Sequence, residues 1–126
     1  MYSLGKNERL KSRKAIDALF ARHNVCNIFP VRVFFSIEDK NEFEIKAGFG
    51  CSKKYFKRAV HRNRAKRLMR EAYRTQKEFL YQTVKENKKS VHLFFLFADN
   101  ELSDYRQMQS AIAATLQRIE KTVRKQ

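Results

Sequence analysis

The chain is short of the residues that loosen a backbone. Of its 126 residues only three are glycine and one is proline, which argues against long flexible linkers and for one continuous domain over residues 1–126. Tryptophan is absent and cysteine occurs twice, at Cys26 and Cys51. Two cysteines cannot build a cysteine-rich zinc site. With no secretory leader pattern, both are expected to be unpaired thiols acting as small apolar residues. No apolar run approaches the roughly 20 residues of a membrane span, so no membrane partner and a cytoplasmic location are expected. Acidic residues are also scarce, 13 against 28 lysines and arginines, for a net charge of +15. That imbalance favours nucleic acid or another polyanion as partner. Missing too are a Walker-type glycine loop, a carboxylate pair poised for acid–base work, and any ligand spacing among His23, His61 and His92. No catalytic residue is assigned, no obligate protein partner is expected, and metal binding by the chain itself is left open.

What is present is a stretch of one-sided charge from Ser52 to Arg74, SKKYFKRAVHRNRAKRLMREAYR, whose single acid is Glu71. Placed on a helix over residues 59–84 at about 100° per residue, Ala65, Leu68, Met69, Ala72, Tyr73, Phe79 and Leu80 share one arc. Lys66, Arg67, Arg70 and Arg74 share the opposite arc, with Arg62 and Asn63 at its entry edge and Arg64 on its far side. One face can bury while the other offers a row of cations. Cations this dense repel one another, and phosphate relieves the repulsion. The arginine fork suits bidentate phosphate contacts and stacking on bases.

The run Ser52-Lys53-Lys54, followed by Ala59-Val60-His61-Arg62-Asn63-Arg64-Ala65-Lys66-Arg67-Leu68-Met69-Arg70-Glu71, resembles the arginine-rich motif of the bacterial ribonuclease P protein subunit. The intervening loop departs from the family. Tyr55-Phe56-Lys57-Arg58 stands where a glycine is common, one residue longer. The resemblance implies a basic protein that binds the catalytic RNA subunit and the 5′ leader of precursor tRNA. Magnesium, held mainly by that RNA, would serve the hydrolysis that removes the leader. Carried over residue by residue, Lys53, Lys54, Arg58, Arg62, Asn63, Arg64, Lys66, Arg67, Arg70 and Arg74 would meet the RNA subunit. A leader cleft between the first helix and one sheet face would be formed by Arg9, Lys11, Ile16, Phe20, Val33 and Phe35. For Ile16, Phe20, Val33 and Phe35 plain core packing is the competing reading, because one sheet face must pack on helices in any case. The competing functions are a structural RNA-binding protein such as a ribosomal component, a DNA-groove reader and a protein nuclease.

Taken in order, residues 1–11 read as extended or frayed. Ser12 is a helix cap, and Ala15, Ile16, Leu19 and Phe20 follow at helical spacing to about residue 22, with Asn24 a candidate left-handed cap. Residues 25–30 read as a connection ending at Pro30. Residues 31–38 alternate as a strand, with Val31, Val33, Phe35 and Ile37 on one face. A turn and a second strand, 43–51, come next, expected to pair antiparallel with the first. Gly48 and Gly50 mark a close approach or a bulge. The basic helix is expected to run from about 58 to 84. Residues 91–98 are nearly continuous apolar, as in a strand covered on both faces. Ser103 is a candidate cap for a last helix with a stripe of Tyr105, Met108, Ile112, Leu116, Ile119 and Val123. The order is α-β-β(-β)-α-β-α, an α+β single domain with one mostly antiparallel sheet packed with helices. The strand before the basic helix is expected to lie parallel to the strand after it. Geometry alone would make that crossover right-handed; the resemblance implies a left-handed one.

Overall fold

A computed structural model of the chain describes residues 8–22, 24–39, 43–102 and 104–125. Its elements are α1 (Arg13–Ala21), β1 (Val25–Ile28), β2 (Val31–Asp39), β3 (Glu44–Cys51), α2 (Ala59–Arg74), α3 (Glu78–Glu86), β4 (Lys89–Phe97) and α4 (Tyr105–Lys125). The four strands form one sheet in the order β1-β2-β4-β3. β1 and β4 each pair antiparallel with β2, and β3 pairs parallel with β4. The expected parallel pair is present. The expected hairpin between 31–38 and 43–51 is not, because β4 enters between those strands and takes the hydrogen bonds of both. Its apolar run makes it the strand best suited to the centre.

Residues 25–30 also differ from expectation. They form β1 and a turn at Phe29-Pro30, a cis peptide bond. Ser12 caps α1 as expected, its Oγ accepting from the Ala15 N–H at 3.3 Å. The helix ends through Arg22 in right-handed geometry, while the Asn24 carbonyl accepts from the Phe35 N–H at 3.0 Å, so Asn24 is not its left-handed cap. Ser103 lies outside the described residues. α4 is capped by Asp104, whose Oδ1 accepts from the Gln107 N–H at 2.8 Å.

The single long basic helix is two helices. Thr75 Oγ1 donates to the carbonyls of Glu71 and Ala72, and Gln76 Nε2 donates to the Ala72 carbonyl at 2.9 Å. These side chains satisfy carbonyls that a continuing helix would have paired, so stopping at Arg74 leaves few polar groups unmet. Lys77 then turns inward, its side chain only 4% exposed, and donates to Glu8 Oε2 at 2.6 Å. α3 turns its own stripe toward the core. Leu80, Thr83 and Val84 are buried, while Phe79 stays 36% exposed.

α2, α3 and α4 share one core with a single sheet face. Ala65, Met69, Tyr73, Leu80, Ile112 and Leu116 meet Val31, Val33, Leu93, Phe95 and Phe97 there, and all are nearly or fully buried. Among the described residues the one helix on the other face is α1. β4 therefore alternates. Val91, Leu93, Phe95 and Phe97 are sealed, whereas His92, Phe94 and Leu96 are half-covered. The expectation of a strand buried on both faces holds for one face only, because a nine-residue helix is too short to roof the whole sheet.

Candidate nucleic-acid interface

Ahead of α2, residues 52–58 form a built loop. Ser52 Oγ accepts from the Lys54 N–H at 3.1 Å, and the Ser52 carbonyl accepts from the Tyr55 N–H at 3.2 Å. Phe56 pins the loop to the sheet by stacking on Phe97, ring centroids 6.0 Å apart. Arg62 closes it from the helix, Nη1 donating to the carbonyls of Phe56 at 2.9 Å and Lys57 at 2.7 Å. Lys53, Lys54, Arg58, Asn63, Arg64, Arg67 and Arg70 are exposed, while Arg62, Lys66 and Arg74 are half-buried. The structure divides the motif residues: Arg62, Lys66 and Arg70 stand on the side of Cys51 and Phe49, whereas Asn63, Arg64 and Arg67 border a separate concavity with Val60 and Leu68. Arg62 shapes the loop. Arg70 lies over the Phe49 ring at 5.8 Å. Arg74 binds Glu71, whose carboxyl that hydrogen bond holds below its usual range. α2 starts without a side-chain cap and without an acid in its first turn, so its positive end adds to the cations around it.

The second site lies on the α1 face. α1 is anchored there by Phe20, whose ring packs 4.6 Å from that of Phe34 and 5.3 Å from that of Phe94. Just past Phe20, at the C-cap, Arg22 pairs with Glu38. The Phe94 ring in turn lies flat over two glycines. A Cβ on Gly48 would fall 2.8 Å from Phe94 Cδ2, and one on Gly50 would fall 2.9 Å from Cζ. The glycines are there for this ring, the close approach their spacing suggested. Beside it opens a cleft of about 330 Å³ lined by Arg13, Ile16, Asp17, Phe20, Gly50, Cys51, Ser52, Phe94 and Leu96.

Of the residues expected at this cleft, Ile16 and Phe20 line it. Arg9 and Lys11 are exposed on the segment leading into α1, where Arg9 bridges Ala47 and the Leu10 N–H reaches the Ala47 carbonyl at 2.9 Å. Val33 and Phe35 do not belong. Val33 is fully buried in the core on the face that α4 covers, and Phe35 packs against the same core. The alternation of β2 holds, but α1 sits on the face of Phe34 and not on that of Val33. Phe94 and Leu96 line the cleft in their place, and Phe34 supports it from behind Phe20. The signal that could have found them is the pair of glycines, which marks the face where a ring needs room.

The cleft runs into the loop through Cys51 and Ser52, so the two surfaces are continuous. Burial pushes the Cys51 thiol up, against the pull of nearby Arg62 and Lys66, so the thiol stays neutral and lines the cleft as a small apolar group. Among the described residues no three His, Cys, Asp or Glu side chains come together as a metal cage. Asp17 is the one carboxylate in the cleft lining. One carboxylate is fewer than an all-protein magnesium cage needs, so an ion there would take its other ligands from phosphate and water.

A family profile described as Ribonuclease P matches residues 4–120. The chain belongs to the ribonuclease P protein family. A ribonuclease P protein component from Porphyromonas gingivalis strain W83 is 34% identical over 119 residues, covering 94% of this chain and 87% of that protein. One from Chlorobium phaeobacteroides is 37% identical over 90 residues, covering 68% and 62%. The Staphylococcus aureus ribonuclease P protein has the same fold, with a TM-score of 0.67 at 20% identity over 92% of this chain and 97% of that one. Membership ties the chain to the tRNA-processing endoribonuclease and to its RNA. No helix among the described residues is long and apolar enough to cross a membrane.

Proposed function

We propose that this chain acts in the cytoplasm as the protein subunit of ribonuclease P, holding the RNA subunit on the outer face of α2 with its preceding loop, and the 5′ leader of precursor tRNA in the α1 cleft. The observation that carries this reading is the half-covered aromatic pair Phe20 and Phe94, with Phe34 packed behind Phe20, opening directly onto the cationic loop. Aromatic side chains stack on bases of any sequence, at roughly 1–3 kcal/mol per base, and cations beside them track the backbone. Such a site suits a single strand of variable sequence. The exposed arginines and lysines of α2 suit phosphate positioning rather than base readout. The chain's own residues bind and orient. Hydrolysis belongs to the RNA subunit, which would hold the magnesium ions that activate water and stabilise the developing charge.

The test is reconstitution at low magnesium with the ribonuclease P RNA of the same organism and a labelled precursor tRNA. Leader release is expected in the mixture and not with protein alone; cleavage by protein alone would point to a protein nuclease instead. Within the assembled enzyme, Phe20→Ala is expected to weaken binding of leader-bearing precursor about tenfold and of mature tRNA far less. Equal losses for both would return Phe20 to a purely structural role.

A further inference from the structure

We propose that the β1–β2 turn carries a second stacking site, Phe29 beside Arg32, which extends the α1 cleft and takes a base further along the same single-stranded RNA. This rests on the α1 cleft being the leader site.

Among the described residues Phe29 is the most exposed large apolar side chain, at 67%. It is no part of the core, which ends next to it at Val31 and Phe97. It borders its own concavity of about 310 Å³, with Asn27, Pro30, Val31, Arg32 and Ala98. Arg32 is aimed by its neighbour, Nε donating to Asn27 Oδ1 at 2.9 Å, and its terminal nitrogens have no protein partner among the described residues.

The two concavities are joined by register. Arg32, Leu96 and Gly50 form one row across β2, β4 and β3, on the α1 face that also carries Phe34 and Phe94. Leu96 and Gly50 line the α1 cleft, and Arg32 lines the concavity at the turn. Adjacent strands are about 4.8 Å apart, so the row spans roughly 10 Å, and an extended strand leaving the cleft crosses it within a few nucleotides. The occupant is set by chemistry. The lining has an aromatic face, an oriented guanidinium and an amide but no carboxylate, which fits a base with its phosphate.

The experiment uses the reconstituted holoenzyme and precursor tRNAs whose leaders lengthen stepwise. Wild-type affinity is expected to rise with leader length beyond what fills the α1 cleft. Phe29→Ala should match wild type on short leaders and lose roughly five- to tenfold on long ones, with Phe29→Tyr retaining wild-type affinity. Arg32→Gln should lose affinity on the same long leaders and lower the salt slope by about one. Circular dichroism checks that each variant folds. Wild-type behaviour of Phe29→Ala at every length overturns the proposal. So does a loss shared by mature tRNA, or one seen in binding to the RNA subunit alone. A wild-type enzyme indifferent to any leader would remove the cleft reading itself; a leader effect that Phe29→Ala leaves intact removes only the extension.

Discussion

Arg62 and Arg67 share a helix and a charge but differ in what they touch. Arg67 is exposed and makes no hydrogen bond among the described residues, so Arg67→Gln should remove about one unit from the slope of log affinity against log salt and little else. Arg62 holds the carbonyls of Phe56 and Lys57. Arg62→Gln should therefore cost a similar slope change and a further, salt-independent loss as the loop loosens. Binding to the RNA subunit across a salt series separates the two; identical curves for both variants would make Arg62 a simple phosphate contact. The sequence placed both in the motif, but only tertiary contacts distinguish them, because carbonyls in an irregular loop leave no periodic trace.

At the scale of elements, the ties of the described N-terminal segment include the Leu10 N–H on β3 and Glu8 on Lys77. The second joins the α2–α3 break to the segment that leads into α1. Lys77→Met removes the buried cation from a half-buried pair, a change expected to cost roughly 1–3 kcal/mol and to lower the melting temperature. Denaturant unfolding would show it, and an unchanged midpoint would mean the pair contributes little. The two faces of β2 offer a second check. Val33→Ala should destabilise by roughly 2 kcal/mol through a core cavity while leaving the preference for precursor over mature tRNA intact. A change in that preference without loss of stability would put Val33 back in the cleft. The helix break was not legible because the apolar spacing continues through it. What stops α2 is the capping of its last carbonyls by Thr75 and Gln76 and the inward pull of Glu8, a residue far away in the chain.

At the scale of the molecule, the chain carries a net charge of +15, concentrated most strongly in the loop and helix of residues 52–74, where Glu71 is the single acid. Self-repulsion of this kind lowers the stability of the isolated chain. Sulfate, as a phosphate surrogate, should raise its melting temperature more than chloride at equal ionic strength. Equal shifts would mean that general screening accounts for the effect. The same concentration of charge makes assembly with RNA strongly salt-dependent, while the aromatic cleft beside it should respond little to salt. The two surfaces can thus be told apart in one titration.

The sequence by itself determined the parts set by neighbours along the chain. These are the Ser12 cap, the alternation of β2, the two arcs of α2, the stripe of α4 from Met108 to Val123, and the charge that calls for an anionic partner. Each is a short-range pattern, and side-chain period follows directly from backbone geometry. The tertiary structure decided which face meets which element. It put β4 between β2 and β3, seated α1 on Phe34 rather than on Val33, and gave Arg62 to the loop. Periodicity divides a strand into two faces without saying which is covered, since that depends on strand order and on a helix many residues away. The candidate RNA site lies where that choice left Phe94 and Leu96 only partly covered.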